Sequence, residues 1–407
     1  MSKSTKAITI SNPYRGVNWD TYKPHKTELH CHTKVSDGTA DFDEMIEAYY
    51  ALGYDCLAIA DHGVIDRSWT KLNVRRIVRL TCGKNPFKKP TGLTEERFRE
   101  ISEGVGRDGR GMLRVPFGTE HSPGGNRWAH VNSWLCDVHS AAVGRSDYTK
   151  AVRAVDRAGG QCVICHPSSA MKNVKLVMKN GKPALSEMFE DKHSSYINHV
   201  QQLMERYPSL LGIDIPFACD RKLWDILLRR FAPSGRSVFA VATSDEHDAE
   251  DIKNGLGWVE AMMPENTIEN FRKCMEDGAF FAASRYVSFI FTPEFHAAHP
   301  NLLPALREEH KEHATKINEL SDLYGELCMA PRPIAAPRPM VRNISIEEGV
   351  ISIQAENYDV ILWVSDGKYI ASGDTINLND CENLGAYVRA ELWGPGGNLY
   401  TQPFLLQ

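Results

Sequence analysis

The sequence predicts an α/β protein whose strands either close into a barrel or lie in a doubly wound sheet, followed by a small all-β module. Three observations predict it. Short apolar runs alternate with helical patterns over roughly 250 residues, polar residues cluster just past the ends of those runs, and the composition changes after "FFAASRYVSFIF". Parallel strands joined by helices build such a core, and their carboxyl ends are where such folds place active sites.

The first apolar run ends in "LHCHTKVSDG", residues 29 to 38. Alternate side chains leave an extended strand on the same face, so His30 and His32 point together while Cys31 points away. "DFDEMIEAYYALG" then places Met45, Ile46, Tyr49 and Leu52 at helical spacing, with Asp41 and Glu44 as a capping pair and Gly53 as the stop. A second apolar run, "YDCLAIADHG", breaks at Asp61 and His62. "MLRVPFGTEH", "QCVICHP", "LLGIDIP" and "SVFAVATSDEH" each read as a buried strand, and "DYTKAVRAVDRAGG" and "DRKLWDILLRRF" as helices between them.

Between the second and third of these runs lies a long insertion. Residues 67 to 89 carry eight Lys or Arg and no acid, and in a helix Lys71, Arg75 and Arg79 would share one stripe. A phosphate clamp, with Arg67 the nearest candidate, is weighed there against a solvated basic face. "GVGRDG" matches a glycine-rich phosphate loop in spelling only. It follows the helical pattern "LTEERFREISE" and not a strand, so it reads as a helix stop and turn.

Residues 303 to 327 read as a long polar helix and "APRPIAAPRPM" as a stiff connector. From Val341 onward short strand runs alternate with turn signals such as Asp366-Gly367, and Trp363 and Trp393 read as core. The expected division is therefore a core domain over 1–290 with a basic insertion at about 63–112, a connector over 291–340, and a β-sandwich-like domain over 341–407. No internal repeat is visible.

Composition excludes several classes. With 47 Lys and Arg against 52 Asp and Glu, the net charge of -5 offers no general attraction to nucleic acid or an anionic membrane. The first twenty residues lack the apolar core of a signal peptide, and no membrane-length apolar run occurs, so a cytoplasmic protein is expected. Ten scattered cysteines read as reduced and buried, and Cys162 and Cys165, although spaced C-x-x-C, sit inside a strand pattern rather than at a helix start.

The chemistry lies in the polar residues at strand ends: His30, His32, Asp37, His62, Glu120, His130, His166, Asp245 and His247. One histidine after a strand is ordinarily a hydrogen-bonded loop residue. Nine such groups from six segments gathered at one rim would repel if charged and be costly to bury if neutral, and divalent cations remove both problems. Mixed imidazole and carboxylate ligands suit Zn, Mn or Fe, and nine are too many for one ion, so two or three divalent metals are expected. Asp61 is read either as an orienting partner of an imidazole or as a loop cap. His121, on the opposite face from Glu120, is left outside the metal set as a possible proton donor.

"LHCHTKVSDG", "AIADHG", "FGTEHS", "AHVNSW", "ICHPS" and "ATSDEH" resemble, in order, the motifs of the PHP (polymerase and histidinol phosphatase) family of metal-dependent phosphoesterases, over roughly residues 25 to 290. The resemblance implies a distorted (β/α)7 barrel with three metals. It implies that His30, His32, Glu120 and Asp245 hold one ion, that Glu120 bridges to a second held by His130 and His166, and that Asp37, His62 and His247 hold a third. By the same resemblance a metal-bridging hydroxide attacks phosphorus, which makes Glu120, Asp245 and His247 part of the catalytic set. The expected substrate is a small phosphorylated metabolite or nucleotide. Two alternatives remain: an amidohydrolase-type enzyme cleaving C-N or C-O bonds, and a nuclease whose basic stretch follows a phosphodiester backbone.

Overall fold

The structure is a computed structural model, and it describes residues 8–81, 89–122, 130–138, 148–169, 171, 178–179, 182–183, 185–215, 218–250, 257–288, 329–331, 336–382 and 384–407. It is a mixed α/β protein with several sheets, one of them confined to the C-terminal part of the chain. The helix expected at 303–327 lies outside the described residues.

Five strands build the smaller core sheet, in the order Phe239–Val241, Leu210–Asp214, Gln161–Ile164, Val131–Trp134, Thr119–His121. The first three are mutually parallel, as the alternation of strand and helix predicts. Val131–Trp134 runs antiparallel to both of its neighbours, which the sequence reading did not anticipate. For the pairing with Thr119–His121 length is the reason, since nine residues separate the two strands and a crossover helix needs more.

The larger sheet holds Lys23–Glu28 between Cys56–Leu57, which is parallel to it, and Gly257–Met263, which is antiparallel. No ladder among the described residues joins the two sheets into a closed barrel. Two single parallel bridges tie them instead, Cys31 to Glu246 and His62 to Glu120. Both bridges involve residues beside or within the predicted metal set.

The C-terminal region divides in two. Met340–Glu347, Val350–Glu356 and Thr375–Asn377 form a separate three-stranded sheet. Gly397–Tyr400, by contrast, pairs with Phe280–Ser284 of the core, and Phe404–Leu406 pairs with Ile10–Ser11 at the other end of the chain. Backbone ladders thus cross the boundary expected near residue 290. Trp363 and Trp393 are buried, as expected for core.

Local expectations fare well where the signals are chemical. The helix Phe42–Ala51 starts on the Asp41–Glu44 capping box, the Glu44 carboxylate accepting from Asp41 N at 2.6 Å, and Gly53 follows with φ +77°. Helices Thr149–Arg157 and Ala218–Phe231 occupy their predicted stretches. Glu95–Glu103 ends at left-handed Gly104, which confirms the turn reading of "GVGRDG". The basic stripe differs, since helix begins only at Arg76 and Lys71 lies before it. Arg75 is turned back to donate to Gly63 O at 2.8 Å.

Candidate metal centre

Eight of the nine predicted ligands lie beside or just beyond strand ends, and Asp37 lies in the turn that follows His32. His30 and His32 extend the Lys23–Glu28 strand, Asp245 and His247 extend Phe239–Val241, and backbone bonds from Asp245 N to His30 O (3.0 Å) and His32 N to Glu246 O (2.8 Å) hold the two extensions together. His62 and Glu120 face each other across the second bridge, with Glu120 N donating to Ala60 O at 3.1 Å. His130 and His166 flank the antiparallel pair Val131–Trp134 and Gln161–Ile164. All nine predicted residues are brought into one cluster.

Glu120 is its hub. It is fully buried, and five imidazole nitrogens lie within 3.5 Å of its carboxylate: His130 Nδ1 at 2.7 Å, His166 Nε2 at 3.2 Å and His30 Nε2 at 3.5 Å from Oε1, and His62 Nδ1 at 2.6 Å and His32 Nε2 at 3.5 Å from Oε2. On one side Asp245 Oδ1 stands 3.1 Å from both His30 Nε2 and His32 Nε2, which are themselves 3.0 Å apart. On the other, Asp37 meets His32 Nδ1 and His247 Nε2 at 3.5 Å and His62 Nε2 at 3.4 Å. Five overlapping groups of three ligand atoms result, the combinations being His30–His166–Asp245, His30–His32–Glu120, His32–Asp37–His62, His32–Asp245–His247 and His62–Glu120–His130.

Do these residues fit metal ions? Ligand atoms about 2.1 Å from one cation stand about 3.0 to 3.4 Å from each other, which is the spacing around Asp245 and Glu120. Protons satisfy the cluster poorly. Glu120 Oε2, His30 Nδ1 and His166 Nδ1 are buried with no hydrogen-bond partner, even though His62 Nδ1 approaches Oε2 closely. Of these, Glu120 Oε2 faces the cluster, where an ion would meet it, whereas His30 and His166 turn Nε2 toward the cluster and Nδ1 away from it.

The charges of the protein groups depend strongly on one another across the cluster. Burial penalises the charged form of Glu120, but the surrounding His62, His130 and His30 outweigh it and hold the carboxyl well below its ordinary range. Asp37 is likewise held low, burial being overcome by hydrogen bonds from His247 and His62. His32, desolvated, is lowered to about 4 and stays neutral, whereas His166 is raised to about 9 by its bond to Glu120 and His62 is raised by Glu120 and Asp37, each against its own burial, and a bound cation would displace those protons. Asp245 and His166 also hold left-handed backbone, with φ +52° and +26°, conformations that persist only where surrounding contacts enforce them.

Neighbouring residues resolve the open readings. Asp61 does not cap the loop that follows it but holds the Thr33–Ser36 loop: its carboxylate accepts from Thr33 N (2.8 Å), Thr33 Oγ1 (2.7 Å) and Ser36 Oγ (2.5 Å), and reaches the imidazoles only through Ser36, 3.5 Å from His32 Nδ1. His121 lies on the opposite strand face from Glu120, bonded to Ser133 Oγ at 2.8 Å, so it does not face the rim. Arg67 is half-exposed and forked onto Asp137 at 2.9 and 2.7 Å. Cys162 and Cys165 are free, buried thiols.

Two residues were missed. Glu28 lies fully buried beneath His30, and Asp214 ends the Leu210–Asp214 strand with one oxygen on Thr243 Oγ1 (2.7 Å) and the other unpartnered. Asp214 is an acid closing an otherwise apolar strand run, which is the available signal, whereas Glu28 ends the polar strand Lys23–Glu28 and gives no such signal.

The fold and site thus define an α/β protein with a buried, multi-ligand candidate metal centre at its strand ends. No protein-family model matches the chain, and no curated protein matches it. Among solved structures it is similar to a two-domain protein of Bacteroides vulgatus containing a predicted PHP-like metal-dependent phosphoesterase, at 12% identity and a TM-score of 0.43, over 100% of this chain and 91% of that one. Two others cover less of it. One is an amidohydrolase of Chromobacterium violaceum with bound sulfate and no metal (14%, TM-score 0.32, 55% and 87%). The second is a protein of Bifidobacterium adolescentis named as a candidate metal-dependent phosphoesterase (15%, TM-score 0.30, 54% and 87%). At these values the reading of the site rests on its own geometry.

Proposed function

We propose that the chain is a metal-dependent phosphoesterase that hydrolyses a phosphate ester of a small metabolite or nucleotide. The observation that carries this reading is Glu120, one buried carboxylate with five imidazole nitrogens within 3.5 Å. Bound there, two or three divalent ions (Mn, Zn or Fe) would lower the pKa of a water and neutralise phosphoryl oxygens. In this reading His30, His32, Glu120 and Asp245 hold one ion, Glu120, His130 and His166 a second, and Asp37, His62 and His247 a third.

The protein's own part is positioning. Bridges Cys31–Glu246 and His62–Glu120 would complete a ring of seven strand segments from the two sheets, a distorted (β/α)7 arrangement whose rim carries the nine ligands. Glu120 and Asp245 stay ionised, and His247, hydrogen-bonded through Nδ1 to Asp245 O at 2.8 Å, keeps its ring aimed at Asp37. Arg67 would serve a substrate phosphate only by leaving Asp137. A nuclease reading draws on the basic 67–89 stretch, but the chain's overall acidity favours a small substrate.

The test is a phosphate-release panel, with p-nitrophenyl phosphate beside ester and amide substrates, run on protein loaded with Mn, Zn or Fe. Phosphate release that is lost in His32→Ala and Asp245→Ala together with bound metal supports the proposal. Hydrolysis of amides alone would move the chain to the amidohydrolase reading, and full turnover with unchanged metal content in both variants would overturn the site.

A further inference from the structure

We infer that Glu28 is a positioning residue that sets the gap between the His30 and Asp245 segments of the centre; this rests on the metal reading above. The residue is fully buried two positions before His30, on the same strand face. Its Oε1 accepts three backbone N–H groups: Leu29 at 2.9 Å, His30 at 2.8 Å and Ser244 at 3.3 Å. The first two belong to the strand end that carries His30 and His32. The third belongs to the neighbouring one, next to Asp245.

This carboxylate stands where a ladder is missing. The two strand ends share a single bridge, Cys31 to Glu246, flanked by the bonds at His30 O and His32 N. Below, where further ladder bonds would run, one side-chain oxygen gathers the donors of both segments. Ser244 is gripped from its other side as well, its Oγ lying 2.8 Å from the Tyr49 hydroxyl on the Phe42–Ala51 helix.

The residue that follows Ser244 explains the need. Asp245 adopts φ +52° without being glycine, and its Oδ1 must reach His30 Nε2 and His32 Nε2 at 3.1 Å each. Such a backbone has to be over-determined by its surroundings. Glu28 and Tyr49 fix the residue before it, and His30 O receives its own N–H. Orienting partners of this kind typically change metal affinity about 10- to 100-fold when removed.

Co²⁺ titration of the full-length protein, followed by the visible ligand-field spectrum and by bound-metal analysis, tests this. Glu28→Gln keeps an oxygen acceptor in place and is expected to bind within about threefold of wild type, with the same spectrum. Glu28→Ala is expected to bind about 10- to 100-fold more weakly, with an altered spectrum. Tyr49→Phe, which leaves the backbone donors satisfied, is expected to weaken binding by a smaller but measurable factor.

Wild-type affinity and spectrum in Glu28→Ala overturn the inference, and so does Glu28→Gln failing as badly as Glu28→Ala, because charge and not geometry would then be what Glu28 supplies. Should Glu28→Ala not fold, Tyr49→Phe with unchanged affinity overturns it alone. A wild-type protein that binds no Co²⁺ sinks the metal reading as well, whereas tight wild-type binding with indifferent variants sinks only the role of Glu28.

Discussion

Lys26 offers a quantitative check on how the interior of this fold is built. It is 8% exposed, its Nζ lies 3.8 Å from the centre of the Tyr54 ring and 5.2 Å from that of Trp258, and among the described residues it makes no ion pair. Its cross-strand neighbour Glu260 is taken by Arg338 Nε and the Trp258 indole, both at 2.6 Å. Burial first, and then the nearby Arg338, lower the amine from 10.5 to about 7. At about 1.36 kcal/mol per pH unit that is a cost of about 5 kcal/mol for the charged form. A lysine lowered on folding is bound by more protons in the unfolded chain between about pH 7 and 10.5, so stability rises with pH across that window. The cost is in full force below about pH 7 and gone above 10.5. Lys26→Met keeps the length of the side chain and removes the charge. Its stability advantage over wild type, from urea unfolding at pH 6.5 and pH 10, should shrink by about 4 kcal/mol between the two. A gap that is the same at both values, or a variant weaker than wild type at pH 6.5, would refute the reasoning.

Arg389→Leu should cost about 3–5 kcal/mol in unfolding experiments, because Arg389 forks onto Asp225 at 2.9 and 2.8 Å and meets Glu391 at 2.6 Å, leaving two buried carboxylates uncompensated. That loss should be read by probes of the core as well as of the C-terminal strands, since the pair joins the Ala218–Phe231 helix to Tyr387–Gly394. Gly212→Ala should destabilise by about 3 kcal/mol or abolish soluble expression, as a Cβ there would lie 1.7 Å from Phe239 O. Cys162 and Cys165, whose thiols burial pushes up, should resist iodoacetamide at pH 8 in the folded protein and react in urea, as mass spectrometry would record.

The first pair of ligands was legible because alternation fixes their faces. Left-handed Asp245 and His247 come together through the turn of the backbone and not through parity, whereas His30 and His32 are two apart at a strand end, and that parity sends both side chains to one side. Glu28 shares this parity yet was passed over, since an acid two residues before a ligand reads locally as the polar edge of a strand. What identifies it is Ser244, more than two hundred residues away. The same holds for Asp61, which neither grips an imidazole directly nor caps the loop after it, but holds the distant Thr33–Ser36 loop. Strand pairing was the least legible feature. Nothing local in "NLYTQPFLL" says that Tyr400 will face Ala282, or that Leu406 will face Ile10, because register between distant segments is set by which edges remain open once the core has formed.

Charge balance joins the site to the choice of substrate. The carboxylates of Asp37, Glu120 and Asp245 bring three negative charges, and the six imidazoles bring none when they act as ligands. Two divalent ions would then leave a net of about one positive charge and three would leave about three. Either excess sits in a mostly buried cluster, where a dianionic phosphoryl group would compensate it and a neutral amide would not. Several cations around Glu120 would offset the cost of enclosing its carboxylate so deeply. It follows that the number of ions and the class of substrate are one question, and a centre that holds a third ion at Asp37, His62 and His247 is the one that most strongly prefers phosphate.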